Sequence, residues 1–169
     1  MTEFSVVVCL PPTAPGTVHA AVAAALAPYD FNATPDGNPA GEWDRWIIDR
    51  DPAVEVPFRV LPAHDGDPRL LTAARLPADD VRPLGPLECH GGPRGLLDFT
   101  GMRREAALRH EALAATREEA IRTALPGFAL VTLEGEWIDA DDDGYWERAD
   151  SYLDRLAAET VVVGLACHC

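Results

Sequence analysis

Thr160–Ala166 reads TVVVGLA. Alternate residues of a strand point to opposite faces. Both alternating sets are apolar here, so the stretch predicts a strand at the centre of a sheet, covered on each side. Phe4–Leu10 (FSVVVCL) has the same texture and is bounded by Pro11 and Pro12, which end a strand. In a ferredoxin-like sheet the first and last strands are neighbours, and that topology fits both stretches.

The remaining elements follow outward from this pair. Val18, Val22 and Leu26 recur at helical spacing behind Thr17, and Pro28 ends the run, which predicts an amphipathic helix. A second helix is expected from Gly101 to Ala124, capped by Asp98 or Thr100 and stopped by Pro126-Gly127. Phe128–Leu133 and Glu136–Ile138 flank Glu134-Gly135, a two-residue connection suited to a hairpin. Trp146, Ala149, Leu153 and Leu156 mark one face of a third helix. Glu42–Ile48 and Val56–Leu61 read as two further short strands. The expectation is a single α+β domain over 1–169, a two-layer sandwich. Its mainly antiparallel sheet has four to five strands and helices on one face.

Eleven of the 15 prolines fall between Pro28 and Pro93. A proline- and glycine-rich loop region, 28–95, is therefore expected between core elements, and long ordered loops of this kind often carry binding surfaces. The formal charge is −14, with 28 acidic residues against 14 basic ones, all arginine. That balance argues against nucleic acid, which requires a basic face, and against anionic membranes. It leaves protein, small-molecule or cationic partners. No apolar run is long enough to span a bilayer. The N-terminus has no basic segment of the signal-peptide kind, so a cytoplasmic location is expected. Four cysteines in a reducing compartment are expected as thiols or metal ligands.

Three groups of residues carry candidate chemistry. Cys89-His90 and the closing Cys167-His168-Cys169 offer nitrogen and sulfur ligands for zinc, provided that the loop reaches the end of the last strand. Strand alternation opposes this, since it sets Cys167 and Cys169 against His168, and the plainer reading is a core Cys167 with exposed neighbours. Asp139, Asp141 and Asp143 with Gly144 match the opening of a calcium loop, with Asp150 at its twelfth position, where the motif uses glutamate. The plainer reading is a solvated acidic turn at a helix N-terminus. Trp43, Arg45, Trp46 and Arg59, with Arg50, are candidates for a Trp-lined pocket holding an anionic ligand. The alternative is that the tryptophans are core. His90–Gly95 (HGGPRG) is rich in glycine but lacks the phosphate-loop ending and reads as a turn.

Several of these pieces resemble an uncharacterised protein family of actinobacteria and their tailed phages. The similar segments are Trp43-Asp44-Arg45-Trp46, Leu97–Arg103, Gly135-Glu136-Trp137 and the closing strand ending in Cys167-His168. The chain departs from the family's pattern at Ile47-Ile48, Ile138 and Ala166, where the family has glycines, His and Asp. The resemblance implies a fold-sized unit of bacterial or phage origin and implies no activity. The expected function is a binding or regulatory domain acting through its loop-rich middle and a Trp-lined surface. The alternative is a zinc-dependent enzyme or metal-binding protein using the Cys/His cluster.

Overall fold

The computed structural model describes residues 2–48, 57–72, 83–113 and 116–169. At its centre β1 (Glu3–Leu10) and β8 (Val161–His168) pair antiparallel over their full length, from Glu3↔His168 to Leu10↔Val161. On the far side of β1 comes β6 (Ala129–Val131), parallel to it, and then β7 (Trp137–Asp139), antiparallel to β6. The other side of β8 is shared by two short strands. β2 (Arg45–Ile47) pairs with its C-terminal part and β5 (Gly91–Pro93) with its N-terminal part. A separate two-stranded sheet joins β3 (Phe58–Arg59) to β4 (Glu88–Cys89). The chain is thus α+β with a mainly antiparallel six-stranded main sheet, and β8 has the central place expected of it.

The two-layer, ferredoxin-like arrangement with helices on one face is not what forms. Val6, Val8 and Leu10 pack with Val18, Val22 and Leu26 of α1 (Val18–Leu26). Their alternates, Val7 and Cys9, pack with Phe99 of α2 (Phe99–Leu108) and with Tyr145, Ala149 and Leu153 of α5 (Tyr145–Arg155). Helices therefore cover both faces, and β1 has a parallel neighbour. The physical reason lies in the two-sided apolar strands. Centrality in the plane protects a strand's hydrogen bonds, but each apolar face still needs its own cover, at about 25 cal/mol per Å² buried.

The expected long helix is divided among α2, α3 (His110–Leu113) and α4 (Arg117–Arg122). Asp98 starts α2, accepting a bond from the Gly101 N–H at 2.8 Å. A Cβ on Gly101 would lie 2.1 Å from that carboxylate, so a larger residue there would displace the Asp98 side chain from this position. Arg109 leaves helical geometry and ends α2, and Thr116 caps α4 by accepting from the Glu119 N–H at 3.1 Å. The hairpin connection also differs from expectation. The Gly135 N–H bonds Thr132 O and the Thr132 N–H bonds Glu136 O, so the loop is Leu133–Gly135. Gly135 sits at φ 83°, the left-handed position of a three-residue loop. Within the two remaining short strands, the ladder covers only Arg45–Ile47 and Phe58–Arg59, and Val56 lies outside the described residues.

β7 is an edge strand, and its two outward N–H groups are occupied. Trp137 N–H donates to Tyr29 Oη at 3.1 Å and Asp139 N–H to Asp142 Oδ2 at 3.1 Å. Another chain cannot add to this edge without displacing them.

Candidate functional site

The loop after α1 is folded tightly on itself. Glu42 N–H and Trp43 N–H both donate to Tyr29 O, and Phe31 N–H donates to Trp43 O. Asn38 Nδ2 bridges Pro28 O and Asp30 O at 2.8 and 3.0 Å. Trp43 is drawn into the core, where its indole N–H satisfies Leu26 O at the end of α1 at 3.1 Å. It is therefore a core residue and not the exposed pocket wall expected of it. Trp46 is half-buried, with its ring 4.7 Å from that of His19. The guanidiniums of the expected pocket are engaged separately, Arg45 with Glu3 and Arg59 with Asp98 and Glu105. Arg50 lies outside the described residues.

A different aromatic surface forms where this loop meets the hairpin. Tyr29 donates its hydroxyl proton to Gly135 O while accepting from Trp137 N–H. The Tyr29 and Trp137 rings lie 5.2 Å apart, Phe4 stands 6.4 Å from Trp137, and Phe128 stands 5.3 Å from Phe4. Phe128 is exposed, and Tyr29, Trp137 and Phe4 are half-buried. Carboxylates border these rings. The Trp137 indole N–H donates to Asp139 Oδ2 at 3.1 Å. Partial burial, and then the charges of Asp139, Asp141 and Asp142, push the Glu42 carboxyl above its ordinary range.

The calcium-loop residues do not gather around a common point. Asp139 Oδ1 accepts from the Asp141 N–H, and Asp142 caps the Asp139 N–H. Asp143 is exposed. Asp150 faces Arg103 at 2.8 Å, in a bridge between α5 and α2. The plainer reading of the acidic run, as a turn leading into a helix, describes this arrangement.

The Cys89 loop does reach the last strand, at its middle and not at its end. His90 N–H donates to Leu71 O, and His90 O accepts from Gly164 N–H. Cys89 is buried in the cluster that contains α2 and α5, whereas Cys167 is buried in the α1 cluster. The sheet stands between the two thiols. His168 projects away from Cys167 and holds Asp44 Oδ1 through Nδ1 at 2.7 Å, and Cys169 is exposed. Among the described residues no three of His, Cys, Asp or Glu are placed to share a metal ion. Burial pushes the Cys9 and Cys89 thiols up to about 12, which keeps them protonated and unreactive. The glycines after His90 serve strand contact. A Cβ on Gly91 would lie 2.1 Å from Val162 O.

Sequence reasoning passed over Tyr29, Glu42 and Phe4 as site residues. The signal lay in pieces, a tyrosine just past a helix end and a Gly-Glu-Trp after a strand, far apart in the chain. It also passed over a cleft between α5 and the hairpin, lined by Arg148, Ser151 and Tyr152 on one wall and Glu134 and Glu136 on the other. Among the described residues no helix is long and apolar enough to cross a membrane. No protein-family model, curated protein or solved structure matches the chain.

Proposed function

We propose that this is a binding domain whose partner presents an ammonium or guanidinium group to the aromatic and acidic surface around Tyr29 and Trp137. The observation that supports the reading is the junction of two adjoining, mutually tilted, half-buried rings with the carboxylates of Glu42, Asp139, Asp141 and Asp142. A cation over a tryptophan or tyrosine face gains about 0.5–2 kcal/mol, more as it is desolvated. The same cation relieves the repulsion that adds to partial burial in raising Glu42. The chain's net charge of −14 steers such a partner inward at low ionic strength. The surface combines the loop-rich middle of the sequence with a tryptophan, although that tryptophan is Trp137 and not Trp43.

Tryptophan fluorescence during titration with a short arginine-rich peptide tests the proposal. The expected result is a saturable change that is lost in Trp137→Phe and weakened by salt. A glutamate-rich peptide producing the same change, or a response retained in Trp137→Phe, would overturn it.

A further inference from the structure

The cleft beside α5 is separate from that surface. The hairpin presents Trp137 to the α1 side and Ile138 to the α5 side. The cleft is open to solvent and offers about 470 Å³, within the volume range of small-molecule sites. Arg148, Ser151, Tyr152 and Arg155 stand at i, i+3, i+4 and i+7 along α5 and so share one face. Tyr152 fixes that face against the hairpin, its hydroxyl accepting from Leu133 N–H at 2.8 Å and donating to Glu134 Oε2 at 3.0 Å. Ile138, only 5% exposed, forms an apolar floor.

The α5 wall carries Arg148 and Arg155 beside Glu147, whose charge is countered by Arg122 at 3.6 Å, and the hairpin wall carries Glu134 and Glu136. Across the cleft Arg148 and Glu136 stand 3.7 Å apart, beyond hydrogen-bond length. An anion entering here meets the hairpin glutamates and Glu147, and a cation meets two arginines. A molecule with both charges satisfies both walls. We infer that the cleft is a binding site for a small zwitterion, a free α-amino acid or short peptide with an apolar side chain. Its carboxylate would lie against Arg148 and Arg155, its ammonium against the hairpin glutamates, and its side chain over Ile138.

The test is a titration of the full chain with L-leucine, followed by amide NMR shifts, beside two single-charge analogues. 4-Methylpentanoate lacks the ammonium and 3-methylbutylamine lacks the carboxylate. Leucine should shift the amides of 132–138 and 148–155 and bind at least about ten-fold more tightly than either analogue. Arg148→Gln and Glu136→Gln should each reduce leucine to the level of the analogues. Both side chains are more than half exposed, so an unchanged thermal midpoint verifies that the variants are folded. No leucine-dependent shift at ~10 mM, equal binding of the analogues, or variants that bind like the parent would each overturn the assignment.

Discussion

Glu42 shows how a single residue reports the site's potential. Its carboxyl is raised by partial burial and by three aspartates, so the folded chain holds that proton more tightly than the unfolded chain does. Between the ordinary glutamate range and the raised value, stability therefore falls as pH rises. Glu42→Gln should melt higher than the parent at neutral pH, and the gap should close as pH drops below the ordinary glutamate range. A gap that stays constant with pH would show that the carboxylates do not repel one another. The thiols give a second prediction at this scale. Cys9, Cys89 and Cys167 are buried and Cys169 is exposed, so mass mapping after brief alkylation of the native protein should find the label on Cys169 alone. The plainer reading of the C-terminus already placed Cys167 in the core and Cys169 outside it, but the burial of Cys89 and the charge at Glu42 were not readable from the sequence. Burial of Cys89 depends on β3 and β4 pairing across an irregular stretch, and the charge around Glu42 depends on a turn almost a hundred residues away.

The elements were legible in proportion to how local their causes are. β1, β8 and α1 were evident because each is a continuous apolar pattern, closed by proline in β1 and α1. The single helix expected from 101 to 124 is divided, since its cap, apolar spacing and Pro-Gly stop say nothing of Arg109 and Thr116, at which the chain leaves helical geometry. The warning was present as Thr116-x-x-Glu119, the Ser/Thr-x-x-Glu signature of a helix start, and Thr116 does cap α4. Thr116→Ala should therefore cost about 1 kcal/mol, measured by denaturant unfolding. An unchanged midpoint would mean that α4 is held by packing alone. The hairpin was placed correctly, but its loop length was not, since Leu133–Gly135 is fixed by Thr132 backbone bonds that leave no mark in composition.

For the whole molecule, the deciding fact is that two-sided apolar strands place helices on both faces of the sheet. That layering separates Cys89 from Cys167, so the candidate zinc ligands are not brought together. It also separates the α1-side aromatic surface from the α5-side cleft, leaving the β6–β7 hairpin as the wall common to both. Fold class was visible in the sequence because it follows from strand patterning. The sites were not, because each joins segments that only the tertiary fold brings together. Most of the 28 carboxylates can be solvated anywhere on such a surface, and only those beside Tyr29 and Trp137 carry special weight in the proposed recognition. Titration calorimetry with a tetra-arginine peptide, run on the parent chain and on Glu42→Gln at low ionic strength, tests that weight most directly. The parent should bind with an affinity that falls as salt shortens the screening length to about 10 Å at 0.1 M, and Glu42→Gln should bind several-fold more weakly. Equal affinity of the two chains, or no heat from either, would contradict the cationic-partner account.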